Sequence, residues 1–153
     1  MILLDTNVIS EVMRPAPSDN VLNWLNQRSD AGLFISSISI AEICYGLRIL
    51  PTGQRQQTLQ ARFEQFIAEG FVGRVIAFDE PAARVYADIM GLCKEKGRPM
   101  SLPDGQIAAI AKTHHLTLAT RNLTDFEHCG IPLINPFAGN QSLCRVNAQS
   151  TAS

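Results

Sequence analysis

The sequence predicts an α/β fold in which a central, mostly parallel five-stranded sheet is flanked by helices in three layers. Short apolar runs alternate along the chain with longer segments of helical periodicity, the order expected of strands joined by crossover helices. The runs are apolar at nearly every position, as in strands buried on both faces of a parallel sheet. With 153 residues, 46% of them hydrophobic, the chain is large enough for one domain with a substantial core.

Five runs are predicted to be strands because each is short and rich in Val, Ile, Leu or Phe. In chain order they are residues 2–4, 33–36, 74–78, 116–119 and 132–134. The longer segments between them are predicted to be helices.

The predicted helices have apolar residues three or four positions apart. They are residues 20–27, 39–50, 54–69, 80–96 and 103–114. A further helix starts near Asn7 and is broken at residues 15–17 (PAP), while Pro51 and Gly53 divide two helices into a hairpin. One domain is therefore predicted over residues 1–137, and the polar, aperiodic residues 138–153 are predicted to be a flexible tail.

Composition excludes several classes of protein. Charged residues make up 18% of the chain and the net charge is −1, which argues against disorder and against a strongly basic nucleic-acid-binding surface. No run approaches the roughly 18 apolar residues of a membrane span, and the N-terminus lacks the pattern of a signal peptide. The four cysteines form no C-x-x-C pair, so free thiols in the cytoplasm are expected rather than a zinc site.

Acidic and amide residues stand where predicted strands end or helices begin. They are Asp5, Glu42, Asp104, Asn122 and Asp125. Groups at the carboxyl ends of parallel strands face one crevice, so these side chains are expected to converge if the strand order brings the ends together. Clustered carboxylates need a cation, and oxygen-only ligands favour Mg²⁺ or Mn²⁺. A bound ion of this kind can generate hydroxide and stabilise charge on a phosphate.

Helix capping is an alternative interpretation of the same acids. Three segments match the capping box, namely Ser39-x-x-Glu42, Ser101-x-x-Asp104 and Thr124-x-x-Glu127. Asp5 could likewise cap the first helix. Spacing alone does not decide between a cap and a ligand.

Five segments, in order, resemble a known family. They are residues 1–11 (MILLDTNVISE), 37–47 (SISIAEICYGL), 103–111 (PDGQIAAIA), 119–126 (ATRNLTDF) and 134–137 (INPF). The set is similar to PIN-domain ribonucleases of the VapC type, the FitB branch especially. The resemblance implies the PIN-like fold and a Mg²⁺-dependent endoribonuclease, with Mn²⁺ as a substitute, that is the toxin of a type II toxin–antitoxin system and cleaves RNA such as tRNA.

The resemblance also assigns roles to individual residues. It implies that Asp5, Glu42 and Asp104 bind the metal, while Thr6 and Thr120 support the site by hydrogen bonds. The fourth catalytic position is divided between two residues, because relatives place an acid either at the position of Asn122 or at that of Asp125.

The family further implies a small VapB- or FitA-like antitoxin as partner, operator DNA bound only through that antitoxin, and a homodimer or higher assembly away from any membrane. Two other functions stay open. One is a catalytically silent PIN-like module that acts within an antitoxin assembly. The other is an aspartyl-phosphate phosphatase using Asp5, although such enzymes need an acid where this chain has Asn7.

Two sets of basic residues and two aromatic residues carry weaker expectations. Arg48, Arg55 and Arg62 recur every seven residues and are interpreted as a solvated face. Lys94, Lys96 and Arg98 precede Asp104 and are phosphate-binding candidates. Trp24 and Tyr86 are expected in the core or in a dimer interface.

Overall fold

A five-stranded sheet runs through the centre of the computed structural model, which describes residues 1–28 and 32–139. Its strands are β1 (Ile2–Leu4), β2 (Leu33–Ser36), β3 (Val75–Ile76), β4 (Thr117–Ala119) and β5 (Leu133–Ile134). The strand order is β3-β2-β1-β4-β5 and every neighbouring pair is parallel. The predicted five-stranded sheet is therefore confirmed, although β3 is shorter than residues 74–78.

Helices connect the strands. They are α1 (Thr6–Val12), α2 (Asp19–Gln27), α3 (Ser37–Ile49), α4 (Gln54–Gly70), α5 (Glu80–Glu95), α6 (Leu102–Thr113) and α7 (Leu123–Phe126), followed by a 3₁₀ turn at Pro136–Ala138. The predicted helices are confirmed with ends shifted by one or two residues. The sequence prediction missed α7, because four residues are too short to show a helical period.

Successive strand residues face opposite sides of the sheet and build two cores. Leu3 and Leu118 pack with residues of α5 and α6 in one core. Leu4 and Ala119 pack with residues of α1, α2, α3 and α4 in the other. This alternation confirms the three-layer α/β/α arrangement and explains why the strands are apolar at nearly every position.

The central strand β1 determines where the site forms. Leu4 is in register with Ile35 of β2 on one side and with Ala119 of β4 on the other. The chain moves outward from β1 to β2 and β3, and later from β4 to β5, so the strand order reverses between β1 and β4. Asp5 and Thr120 directly follow these two strands and lie at the switch point where open α/β sheets bind ligands.

Three other expectations concern the remainder of the chain. The predicted tail lies outside the described residues from position 140 onward. Cys44, Cys93 and Cys129 are free thiols, as expected. Within residues 1–28 and 32–139, none of the helices has the length and apolar character needed to cross a bilayer.

Candidate active site

Asp5 is a buried carboxylate at the end of β1, only 4% exposed. Its Oδ1 accepts a hydrogen bond of 2.7 Å from the backbone N–H of Thr6, so it is the N-cap of α1. Its Oδ2 accepts hydrogen bonds from Oγ1 of Thr120 at 2.8 Å and from Nδ2 of Asn7 at 3.2 Å. Asp5 therefore caps a helix and faces the switch point at the same time, so the two interpretations of this residue do not exclude each other.

The environment of Asp5 makes its ionisation costly. Burial raises its pKa to about 6 from 3.8, while the hydrogen bonds from Thr120 and Thr6 oppose that rise. The negative charges of Asp104 and Glu42 raise the pKa further. Residues far apart in the chain thus act on one buried carboxylate.

Glu42, on α3, is connected to the surroundings of Asp5 through the hydroxyl of Thr6. Oγ1 of Thr6 donates to Oε1 of Glu42 over 2.8 Å and lies 2.9 Å from Oγ of Ser39. The capping-box interpretation of Ser39 and Glu42 is wrong, because α3 begins at Ser37 and its N-cap is Ser36, whose Oγ accepts from the N–H of Ser39 at 3.0 Å. The Glu42 side chain is consequently directed to the site rather than to its own helix end.

Asp104 is half-buried in the first turn of α6. Oγ of Ser101 accepts from the N–H of Asp104 at 3.3 Å, so the helix-capping half of this predicted box is present. Burial raises the pKa of Asp104, the hydrogen bond with Ser101 lowers it, and the charges of Asp125 and Glu42 raise it again. Asp104 is therefore close enough to Glu42 and Asp125 for their charges to raise its pKa.

Asp125 and Asn122 occupy different positions around the site. Asp125 lies in the first turn of α7 and lines a cavity of about 270 Å³ together with Asp104. The backbone N–H of Asn122 donates to Oγ1 of Thr120 at 3.1 Å, and its side chain makes no capping hydrogen bond to α7. The structure thus places Asp125 opposite Asp104, whereas Asn122 contacts the site through its main chain.

The third predicted capping box is not formed. The helix α7 begins at Leu123 with Asn122 at its N-cap, so Thr124 lies inside the helix. Glu127 instead forms an ion pair of 3.4 Å with Arg98. The box at Thr124 and Glu127 is therefore wrong, since Thr124 is one residue past the helix start.

Sequence reasoning missed two residues of the site. Nδ2 of Asn7 donates to Asp5 and, at 3.3 Å, to Oγ1 of Thr120, while its Oδ1 accepts from the N–H of Arg121 at 3.3 Å. Ser39 bridges toward Thr6 from a fully buried position. The signal that could have identified Ser39 is its position between two apolar residues, Ile38 and Ile40, at a helix start. Asn7 follows the polar Thr6 and has no such signal.

The basic residues are distributed between separate surfaces. Arg55 and Arg62 line a groove of about 610 Å³ between α1, α3 and α4, and Nη1 of Arg62 donates to the carbonyl of Met13 at 3.1 Å. Arg48 lines a different depression. All three arginines are exposed, as expected of solvated side chains. Arg98 lines the cavity of Asp104, whereas Lys94 and Lys96 are not among its lining residues. Of the predicted phosphate-binding candidates, the structure brings Arg98 to the site.

Trp24 and Tyr86 lie in the two cores of the fold. Trp24 is 6% exposed among residues of α1 and α2. Tyr86 packs partly buried against the other core, with its ring edge-on to Phe78. The core interpretation of both aromatic residues is confirmed.

The donor atoms of the site suit a hard divalent cation. Asp5, Glu42, Asp104 and Asp125 supply only carboxylate oxygens, the ligand type that Mg²⁺ and Mn²⁺ prefer. Across the described ranges, 1–28 and 32–139, no three Asp, Glu, His or Cys side chains stand together as a ready-made metal-binding group. Carboxylates repel one another in the absence of a cation. The carboxylate of Asp5 accepts a hydrogen bond from the hydroxyl of Thr120, and that of Glu42 accepts one from the hydroxyl of Thr6. The carboxylate oxygens of these residues fit a divalent cation. Glu42 is exposed, so its side chain can rotate toward a bound cation.

Comparisons with known proteins agree with this architecture. The family model of the PIN domain matches residues 2–130. The chain is 42% identical over 137 residues to the toxin FitB of Neisseria gonorrhoeae, which covers 90% of this chain and 99% of FitB. It is 41% identical over 137 residues to the VapC ribonuclease Y4jK of Sinorhizobium fredii, covering 90% of this chain and 98% of that protein.

A solved structure supports the same relationship. FitAB bound to an IR36 DNA fragment matches this chain with a TM-score of 0.83 at 42% sequence identity, over 90% of this chain and 96% of the other. Sequence, fold and the order of the acidic motifs therefore point in one direction. The chain belongs to the PIN-domain family, in the branch that contains the toxin FitB and the VapC ribonucleases.

Proposed function

We propose that this chain is the toxin of a type II toxin–antitoxin system and acts as a Mg²⁺-dependent endoribonuclease on RNA, with tRNA as the first substrate class to test. The observation that carries the proposal is the position of Asp5. It is a buried carboxylate at the topological switch point whose pKa is raised to about 6 by burial and by the charges of Asp104 and Glu42. The relatives of this chain include a VapC ribonuclease.

Asp5, Glu42 and Asp104 would hold the cation, with Asp125 as the favoured fourth acid. When bound, Mg²⁺ supplies a water of lowered pKa and stabilises charge that develops on the phosphate. Thr120 and the backbone of Thr6 keep Asp5 oriented, since both donate to its oxygens. The hydroxyl of Thr6 holds Glu42 on the same side of the site. The protein thus contributes orientation and negative charge, and no side-chain nucleophile is required.

A partner protein belongs to the proposal. The matched structure is of FitAB on DNA, and we infer that this chain pairs with a FitA- or VapB-like antitoxin and reaches operator DNA through it. The groove between α1, α3 and α4 combines apolar residues such as Ile43 and Leu59 with Arg55 and Arg62, a lining that suits an amphipathic protein segment with acidic residues. Tyr45 and Ile49, 68% and 63% exposed one turn apart on α3, offer apolar area for a homodimer contact.

The test is metal-dependent cleavage of a tRNA mixture by the purified chain, followed while Mg²⁺ or Mn²⁺ is titrated and then removed with EDTA. We expect cleavage that rises with metal and disappears in EDTA. Asp104→Asn should abolish it, and Asp88→Asn, the same change at an exposed residue of α5, should not. Metal-independent cleavage, or equal activity in both variants, would contradict the proposal.

The two other functions give different results in the same experiment. A catalytically silent module shows no turnover at any metal concentration. A phosphatase forms a base-labile acyl phosphate on Asp5. The second is disfavoured because Asn7, at the position where such enzymes need an acid, donates its amide hydrogen to Asp5.

A further inference from the structure

Two residues one turn apart on α1 hold both the backbone and the side chain of Arg121. Oδ1 of Asn7 accepts a hydrogen bond of 3.3 Å from the backbone N–H of Arg121. Oε2 of Glu11 lies 3.7 Å from Nη2 of the Arg121 guanidinium. Asn7 and Glu11 stand at i and i+4 and share one face of the helix. The residue that follows Thr120 is therefore anchored at two points by the helix that Asp5 caps.

Glu11 is a buried acid that serves two arginines. It is 5% exposed, and its oxygens accept from Nη1 of Arg14 at 3.1 and 3.3 Å and from the N–H of Ser18 at 3.0 Å. Burial raises the pKa of Glu11, but the hydrogen bonds of Arg14 and Ser18 and the charges of Arg14 and Arg121 together hold it below the usual value. One carboxylate faces two guanidinium groups, so this cluster has a net positive charge beside an acidic site.

The guanidinium of Arg121 is also stacked on an aromatic ring. Its central carbon lies 3.8 Å from the ring centroid of Phe137, while about half of the side chain, 52%, stays exposed. An unrestrained arginine loses rotamer entropy when it binds a ligand. Stacking and the Glu11 contact have already restricted Arg121, so that cost is reduced.

We propose that Arg121 is a substrate-positioning residue that binds a phosphate of the RNA backbone next to the cleaved one. This inference rests on the proposed function. A polyanion that enters a carboxylate site needs a fixed cation near its mouth, and the planar guanidinium fork matches phosphate oxygens. Glu11 lies six residues beyond Asp5, about 9 Å along the helix axis. The guanidinium that contacts Glu11 is therefore displaced along α1 from Asp5, and we expect it to bind a neighbouring phosphate and to act on binding rather than on the chemical step.

The experiment measures binding of a labelled tRNA mixture in EDTA over a series of KCl concentrations, and separately KM and kcat in Mg²⁺. We expect Arg121→Gln to weaken binding about tenfold, as for a charged hydrogen bond. It should also lower the slope of log affinity against log salt by roughly 0.7 to 0.9, the value of one phosphate contact. The KM should rise accordingly with kcat changed less than about twofold.

Two further variants separate a specific contact from a change in net charge or folding. Arg28 stacks on Trp24 at 4.7 Å and follows α2, at the opposite, amino-terminal edge of the sheet. Arg28→Gln removes the same charge and the same type of stacking, and should leave the salt slope unchanged. Arg121→Lys keeps the charge toward Glu11, and should keep the slope while it weakens affinity severalfold.

The outcomes are distinguishable. If the wild-type chain cleaves RNA and Arg121→Gln keeps the wild-type affinity and slope, the inference is overturned, and the guanidinium serves folding or a carboxylate of a protein partner. If binding depends on Arg121 but no cleavage occurs at any metal concentration, the hydrolase proposal fails while the phosphate contact stands. If Arg28→Gln lowers the slope as much as Arg121→Gln does, the effect is one of net charge and the inference is overturned.

Discussion

The hydroxyl of Thr120 donates a hydrogen bond of 2.8 Å to Oδ2 of Asp5 and joins residues that are 115 positions apart in the chain. The two residues end adjacent parallel strands, so the sheet itself sets their separation. Thr120 is fully buried, and the same oxygen accepts from the N–H of Asn122. A single hydroxyl therefore links the central acid to Asn122, the N-cap of the helix that carries Asp125.

Thr120→Val removes this hydroxyl with little change in shape. The bond stabilises the ionised form of Asp5, so its loss should raise the pKa of Asp5 above about 6 and move the acidic limb of the pH–rate profile to higher pH. The free energy of unfolding should fall by about 1 to 3 kcal/mol, because polar partners lose their acceptor. Thr117→Val makes the same change at the other end of β4 and should leave the profile in place. An unshifted profile in Thr120→Val would show that the hydroxyl does not influence Asp5.

The sequence allowed the strands and the acids that follow them to be predicted, because burial on both faces of the sheet leaves runs that are mostly apolar. It did not determine that Asp5 and Thr120 are neighbours, since periodicity contains no information on strand order. Their proximity depends on β1 lying between β2 and β4. The convergence of the acids was therefore a conditional prediction that needed the family resemblance or the fold.

The contacts of Glu42 could not be predicted from the sequence for a different reason. Ser36, Ser37 and Ser39 are all good N-cap residues, and the pattern alone does not show which of them begins α3. Choosing Ser39 made Glu42 a capping residue, whereas the cap is Ser36 and Glu42 bonds to Thr6. An error of two residues at a helix end thus changed the interpretation of a site residue.

Asp5→Asn should stabilise the metal-free protein at neutral pH. The pKa of Asp5 is raised in the folded state from 3.8 to about 6, so the folded protein binds more protons than the unfolded chain between these values, and stability falls as the pH rises through that window. At about 1.4 kcal/mol per pH unit, the ionised carboxylate costs the fold about 3 kcal/mol above pH 6. Weaker hydrogen bonds of the amide offset part of this, which leaves an expected gain of about 1 to 2 kcal/mol.

Urea unfolding in EDTA at neutral pH and near pH 4 measures this effect. The gain should disappear near pH 4, where the wild-type carboxyl is largely protonated in the folded state. Asp88→Asn is the control and should change stability little at either pH. A variant less stable than wild type at neutral pH would mean that the role of Asp5 as N-cap of α1 outweighs the cost of its burial.

Gly105 sets the distance between α5 and α6 next to Asp104. A Cβ at this position would overlap the sulfur of Met90 and lie 3.0 Å from Cε2 of Tyr86. Gly105→Ala should therefore destabilise the fold by about 1 to 2 kcal/mol, since overpacking outweighs the helix propensity gained. Because a shift of α6 moves Asp104, cleavage should fall as well.

Two comparisons test the packing argument by chemical denaturation. In a Met90→Ala background the cost of Gly105→Ala should fall, because the overlap with Met90 is removed and only the contact with Tyr86 remains. Gly91→Ala on α5, where a Cβ meets nothing within 4 Å, should stabilise by up to about 1 kcal/mol. An equal cost of Gly105→Ala with and without Met90 would remove Met90 as its cause.

The fourth acidic position can be assigned by comparing Asp125 with Asn122. Asp125 raises the pKa of Asp104 across their shared cavity, whereas Asn122 contacts Thr120 through its backbone, which a side-chain substitution retains. Asp125→Asn should therefore lower the rate of metal-dependent cleavage by about 10- to 100-fold, the range for residues that support a metal site, and should lower the pKa of Asp104. Asn122→Ala should lower the rate no more than about threefold. Asp88→Asn, the same change at an exposed residue of α5, should leave the rate unchanged. If Asn122→Ala proves the more damaging change, the amide rather than Asp125 completes the site, and the charge of Asp125 affects Asp104 without a part in cleavage.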